Sequence, residues 1–346
     1  VEEVIRADKI RAEEIRFLWG NFPRGMLTLI AGRPGEGKSM FTAYLAAEVT
    51  KQRDGYVLFS NMEDPLPQVV RPRLEAAGAR LERILFWTPF LPKQIADLEE
   101  IIREHKIKLI VLDPIAAHLS VSIYNDQEAR AALSPFSALL ARTSCACVAV
   151  HHTVKNSSAA GHPLRAVGGS GGGLPGAARA VFIWGVNPVD ADERVLVPIK
   201  FNIAEMPKTA HFEMDDEEVV IGRGKKAKLM QTGRLLYMAQ NTISVDAWNV
   251  INHGQAGTPG TNVDKRAEAA EWLTHYLALG KRPAKEIKED SAQYGLSWRT
   301  IRRAAEAIEI VITRQGFGAG GKSYWELPPG HPALLVSGDE EEPDAA

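Results

Sequence analysis

The chain has 346 residues, 45% of them apolar and 24% charged, enough to bury a full core without disulfide or metal staples. Its formal charge of −2 excludes a chain that is basic throughout, so any nucleic-acid surface has to be local. The two cysteines, Cys145 and Cys147, lie in one apolar run and read as core packing; with no signal-peptide pattern and no long apolar stretch, the expected location is the cytoplasm.

Residues 1–25 read as an N-terminal segment packing on the domain that follows. Met26–Ala31 is an apolar strand. It runs into Gly32-Arg33-Pro34-Gly35-Glu36-Gly37-Lys38-Ser39, a complete G-x-x-x-x-G-K-[ST] phosphate loop, and Met40–Thr50 continues as a helix. Glycines let successive N–H groups turn inward on an anion, and the helix start adds its positive dipole end. Residues Gly32 to Met40 are therefore expected to cradle phosphates. Lys38 reaches the β- and γ-phosphates and the Ser39 hydroxyl ligates magnesium. The segment predicts a nucleoside triphosphate site, with ATP and Mg2+ as the ligands.

Short apolar runs then alternate with helical stretches. Tyr56–Ser60, Ile84–Trp87, Leu109–Leu112 and Ala146–Val150 read as strands; Gln68–Ala77, Lys93–Lys106 and Asp126–Thr143 read as helices. This alternation predicts an α/β fold with a mostly parallel sheet covered on both faces. Asp113 closes the Leu109–Leu112 strand, where a carboxylate would complete the magnesium shell. Glu63 follows the Tyr56–Ser60 strand and can polarise an attacking water, with Asp64 as its rival and a helix cap before Pro65 as the plainer role. His151 and His152 end the Ala146–Val150 strand. They lie beside the γ-phosphate or form a surface pair, and no companion cluster favours zinc. The glycine-rich Thr153–Gly176 carries Lys155, His162 and Arg165. It holds nucleic-acid phosphates or is a disordered surface loop.

The pattern changes near residue 180. Ala180–Gly185, Val195–Asn202, Ala210–Met214 and Glu218–Ile221 alternate like antiparallel strands, with turn signals at Asn187-Pro188 and Met206-Pro207. The first domain is expected to span 26–235, with 236–263 as a linker containing the Gly/Thr/Pro-rich His253–Asn262.

A second unit, 264–329, follows. Ala269, Trp272, Leu273, Tyr276 and Leu277 have helical spacing. Pro283 opens a second helix that Gly295 ends, and Ser297 caps a third, Trp298–Ile308. Ile301, Ala304, Ala305 and Ile308 share one face of it; Arg299, Arg302 and Arg303 share the other. Val311–Arg314 and Ser323–Leu327 pair across Gly316–Gly321 like a wing. The unit reads as a winged helix whose arginine face contacts nucleic acid, or as a protein-docking version with that face solvated. Residues 330–346 read as an acidic disordered tail.

Phe17-Leu18-Trp19, Gly32–Ser39, Ser60–Glu63, Leu109–Asp113, Val148–Lys155 and Gly168–Ala180, in that order, resemble the RecA-like ATPase superfamily. The resemblance runs from Ala12 to Ile221. Within the superfamily it points to the hexameric replicative helicases typified by plasmid RepA, with their phage and mobile-element relatives. It implies a RecA-like P-loop fold with an antiparallel extension, beside the small C-terminal winged helix. By this resemblance Glu63 is the catalytic glutamate and His152 the γ-phosphate sensor, with His151 beside it. Arg179 falls where relatives carry an arginine finger acting on a neighbouring subunit's nucleotide. Lys200 and Asn202 fall where DnaB-like relatives carry a Lys-x-Arg pair, and Asn202 departs from that pattern. Gly168–Gly173 is richer in glycine than the DNA-binding loop it corresponds to. The implied function is an ATP-hydrolysing DNA motor: a ring-forming, hexameric helicase or translocase of a phage, plasmid or mobile element. Single-stranded DNA and replication or loading proteins are the implied partners, with no membrane. The alternatives are an ATP-switched DNA-binding, loading or regulatory ATPase without unwinding activity, and a defence-system ATPase.

Overall fold

The computed structural model describes residues 4–121, 123, 125–153, 163–167, 173–222, 224, 227–240, 247–252, 261–278, 280–294, 296, 298–315, 322–331 and 334. The chain divides into two units, Val1–Gly185 with Val195–His253, and Val186–Arg194 with Gly254–Ala346.

In the first unit β1 (Leu27–Gly32) leads to α1 (Lys38–Lys51) and β2 (Tyr56–Asn61). A π-helical turn, Leu66–Val70, precedes α2 (Arg71–Ala76), then β3 (Ile84–Phe86), α3 (Ile95–Glu104) and β4 (Ile107–Asp113). Next come α4 (Asp126–Thr143), β5 (Ala146–His152), the short α5 (Pro163–Ala166) and α6 (Leu174–Ala177), and β6 (Ala180–Val186). β7 (Glu193–Phe201), β8 (Ala210–Ile221), β9 (Lys228–Gln240) and α7 (Ala247–Asn252) complete it. The nine strands form one sheet in the order β3-β2-β4-β5-β1-β6-β7-β8-β9. β1 lies parallel to β5 and β6, β2 to β3 and β4, and β4 to β5, whereas β8 and β9 are antiparallel.

Alternate residues of the central strands face two cores, as a period of two requires. Leu29, Leu58, Ile110 and Cys147 pack with Leu98 of α3 and Phe136 of α4. Ile30, Phe59, Val111 and Val148 pack with Phe41 and Leu45 of α1. Cys145 and Cys147 are free, buried thiols, and burial pushes Cys145 up to about 12, so it is unreactive packing. Residues 4–14 are exposed. Contact of the N-terminal segment with this core falls to Leu18, Trp19 and Phe22, with Trp19 set against Tyr44, Phe212 and Tyr237.

Four expectations change. First, Ala180–Gly185 belongs to the parallel sheet: β6 pairs with β1 in the register Thr28↔Ala180 to Ala31↔Ile183. Its continuous burial is what a strand covered on both faces requires. Second, Ala210–Met214 and Glu218–Ile221 are one strand. The acidic residues between them are carried by Arg234 of β9, which lies 3.1 Å from Asp215 and also pairs with Glu217. Third, the helix expected at Gln68–Ala77 starts earlier and changes pitch: a π-helical Leu66–Val70 runs directly into α2 at Arg71, where Pro72, with no N–H to donate, sits in the first turn. Fourth, 236–263 is not a simple linker. β9 runs to Gln240, and α7 buries Ala247, Val250 and Ile251 in the core shared with α4 and β5. Residues 241–246 and 253–260 lie outside the described residues.

The second unit contains α8 (Thr261–Ala278), β10 (Arg282–Pro283), α9 (Ala284–Gln293), α10 (Trp298–Ala307), β11 (Val311–Gln315) and β12 (Lys322–Glu326). Its small sheet has the order β10-β12-β11, antiparallel throughout. The apolar positions read from the sequence form its core, with Leu273, Leu277, Ile301, Ala304 and Ala305 buried beside Ile287 and Trp325. Pro283 closes β10, and α9 starts one residue later. Ser297, the Gly316–Gly321 turn and the acidic tail 335–346 lie outside the described residues. Among the described residues no helix is long and apolar enough to cross a membrane.

Candidate nucleotide-binding site

The loop between β1 and α1 is shaped by backbone conformations that only glycine takes readily. Gly35 and Gly37 have φ of 81° and 89°. A Cβ on Gly32 would lie 2.2 Å from the carbonyl oxygen of Trp184 on the adjacent strand β6. Lys38 is buried, and its Nζ donates to the Gly32 carbonyl at 2.9 Å and the Arg33 carbonyl at 2.7 Å. Burial lowers its pKa, against the raising pull of Glu36, Asp113 and Glu63. The Glu36 carboxylate accepts from the Arg33 N–H at 3.2 Å, and its carbonyl accepts from the Trp184 indole N–H at 2.9 Å.

Asp113 ends β4 in register with Asn61 of β2 and is only 2% exposed. Burial raises it to about 6, while a hydrogen bond with Ser39 pulls the other way. Its Oδ2 is buried with no hydrogen-bond partner among the described residues. A hydroxyl and an unsatisfied carboxylate oxygen side by side fit magnesium, a hard cation that takes few protein oxygens and completes its shell with water and phosphate.

At the end of β2, Asn61 Oδ1 accepts from the N–H groups of Glu63 at 3.1 Å and Asp64 at 2.7 Å. This side-chain turn sends the two carboxylates to different partners. Asp64 is held by Arg73 of α2 at 2.6 Å. Glu63 stays half-exposed, 3.5 Å from His152 Nε2. Sequence reasoning missed Arg73: nothing in its spacing marks it, because α2 folds back over the cleft only in three dimensions. His152 and His151 project to opposite sides of β5. The His151 ring is bonded to the backbone of Val167, and burial, then His152 and Lys38, push it down to about 4, so it is neutral at physiological pH.

Lys38, Ser39, Glu63, Asp113 and His152 thus line one cleft of about 440 Å³, with Pro34, Gly35, Gly37, Met40, Asp64 and Arg73. Residues 2–158 match the AAA domain family, a span that contains all of these side chains. A stretch of 99 residues is 32% identical to Protein RecA of Nitratidesulfovibrio vulgaris, strain DP4, and equally to Protein RecA of strain Hildenborough, covering 28% of this chain. The chain spans only 27% of the length of those relatives. The mostly parallel α/β sheet with its antiparallel extension has the fold of RecA-like P-loop proteins. In this domain the cleft sits at the carboxyl ends of β1, β2, β4 and β5, where open α/β sheets bind ligands.

The remaining candidates lie elsewhere. Arg179 is exposed just before β6, and its carbonyl accepts from Asn202 N at 3.1 Å. Lys200 donates to the carbonyls of Pro175 and Ala178 at 2.7 and 2.8 Å, closing the C-terminal end of α6. Burial, then Arg179 and Arg130, lower its pKa. Neither Arg179 nor Lys200 lines the cleft. Arg165 is exposed on α5, and Lys155 lies outside the described residues. The α10 arginines are not a uniformly solvated face. Arg303 pairs with Asp192 and Arg299 lies 3.8 Å from it, because that carboxylate is itself buried and needs a cation.

Proposed function

We propose that this protein hydrolyses ATP with magnesium and uses the cycle to drive a ring-forming DNA motor, a helicase or translocase of the cytoplasm. The observation that carries the ATPase chemistry is the convergence of Lys38, Ser39, Glu63, Asp113 and His152 on one cleft, with Asp113 Oδ2 unsatisfied inside it. Ser39 and Asp113 would hold the magnesium. The cation supplies charge neutralisation on the phosphate oxygens. Lys38 leaves its own loop carbonyls to pair with the γ-phosphate. Glu63 orients the attacking water and takes its proton, and His152 links that carboxylate to the γ-phosphate side of the cleft.

The motor reading is supported by the order of motifs beyond residue 158 and by the exposure of Arg179, available to a neighbouring subunit. A hexameric ring around single-stranded DNA would set Arg179 or Lys200 against the next subunit's phosphates. The test combines imaging with a non-hydrolysable ATP analogue and single-stranded DNA, DNA-stimulated turnover, and a strand-separation assay. A ring with DNA in its channel, faster turnover and strand separation support the motor. ATP-dependent DNA binding with no separation moves the reading to a switched loader. A sequence-specific footprint that survives loss of turnover moves it to a regulator. Turnover insensitive to DNA favours a defence ATPase signalling to a protein.

A further inference from the structure

The segment Val186–Arg194, which holds the β6–β7 connection and the strand ends beside it, belongs to the same compact unit as α10. It is tightly wired. Asn187 Nδ2 donates to Glu193 at 2.7 Å, and Asn187 Oδ1 accepts from Val189 N at 3.1 Å. Asp190 Oδ1 accepts from Asp192 N at 3.1 Å, and Arg194 donates to the Ala191 carbonyl at 2.9 Å. These bonds fix Asp192, whose side chain is 8% exposed. Its Oδ1 takes the Arg303 guanidinium and lies 3.8 Å from Arg299 Nε, and its Oδ2 accepts from Thr300 Oγ1 at 3.2 Å. Positions 299, 300 and 303 are neighbours on one side of a helix.

Guanidinium forks joined by a hydroxyl are the side-chain set that proteins turn toward backbone phosphates. Here that set grips a carboxylate of the same chain. Arg299 and Arg303 remain about one-third exposed, at 34% and 36%, so an incoming anion can reach the same donors. A nucleic-acid strand would bring successive phosphates to these donors. Arg302 is not in this contact; it lines a separate groove with Glu306 and Ile312.

We propose that Asp192 is a tethered phosphate mimic: it occupies Arg299, Thr300 and Arg303 and keeps this side of α10 closed until a nucleic-acid backbone displaces it. The inference deepens the DNA reading of the arginine face and rests on it. Displacement releases the β6–β7 connection from α10, so binding is registered in a segment continuous with the ATPase sheet.

The test measures binding of the full chain to a labelled single-stranded oligonucleotide and a labelled duplex over a range of KCl, for wild type, Asp192→Asn and Arg302→Ala. Asp192→Asn should bind roughly tenfold or more tightly, as for other close charge pairs. Its slope of log affinity against log salt on the duplex should stay that of wild type, because the same two guanidiniums meet phosphates once Asp192 has been displaced. Asp192→Ser should behave alike, and a cooperative melting transition with unchanged basal ATP turnover certifies that both variants are folded. If Asp192→Asn keeps wild-type affinity while Arg302→Ala weakens binding, DNA uses this helix but Asp192 guards nothing, and the mimic is overturned. If neither variant alters binding, the arginine face is not the DNA surface, and both that reading and the mimic fall.

Discussion

The indole N–H of Trp184 donates to the carbonyl of Glu36 at 2.9 Å, joining β6 to the phosphate loop across 148 residues. Trp184 is fully buried, packed 5.0 Å from Phe41 and 5.4 Å from Phe212 between ring centres. The loop is therefore referenced to the aromatic core of the sheet. Trp184→Phe keeps an aromatic ring and removes the donor. A neutral hydrogen bond contributes about 0.5–1.5 kcal/mol, so nucleotide affinity should fall roughly two- to tenfold. Calorimetric titration with ATP analogue is the measurement; unchanged affinity would mean that the loop is held by other contacts.

Lys38→Ala should abolish turnover, and Glu63→Gln should bind ATP but not hydrolyse it. The two lesions separate in a binding assay, where only Lys38→Ala should weaken the triphosphate over the diphosphate. Normal turnover in Glu63→Gln would hand the water-orienting role to another group. Asp64 would be the next to test, although Arg73 already engages it.

Asp113 predicts a conflict between stability and function. Burial raises its carboxyl from an ordinary 3.8 to about 6. For an acid raised in the folded state, that stability is fully present below the unfolded value and is lost as pH rises through about 6. The shift corresponds to about 3 kcal/mol at pH 8. Asp113→Asn should therefore melt higher than wild type at pH 8, match it near pH 4, and be inactive. Equal melting at pH 8 would show that the ionised carboxylate is not strained.

Lys200 and Arg179 should part company. Lys200→Ala loses the cation on the last carbonyls of α6 and should lower the melting temperature, whereas exposed Arg179→Ala should not. An arginine finger is worth roughly 10³–10⁵ in rate, so Arg179→Ala should nearly stop turnover with binding intact. Mixing Arg179→Ala with Lys38→Ala subunits should restore some activity at hybrid interfaces. Co-assembled mixtures that stay dead would argue against action between subunits.

Periodicity and glycine placement made the core of the first unit legible: the phosphate loop, Asp113 at its strand end and the helix Asp126–Thr143 all fall where the sequence pattern puts them. What it left open is partnership across long separations. The unbroken apolar run Ala180–Gly185 matches that of the parallel strands but does not say which neighbour it pairs with. Val250 and Ile251 look like linker residues until α7 packs Val250 beside Gly185, where a Cβ would meet it at 2.5 Å. Arg73 gains meaning only beside Asp64, and Asp192 only beside Arg303, 111 residues away.

The Glu36 carboxylate, held on the Arg33 N–H, also makes the loop its own rival. The donor that an arriving phosphate would use is engaged by an anion that can never diffuse away. Occupancy of that N–H is then settled by competition at a fixed, very high local concentration. On the proposed nucleotide reading, a phosphate seated there would exchange one anion for another without passing through a bare donor.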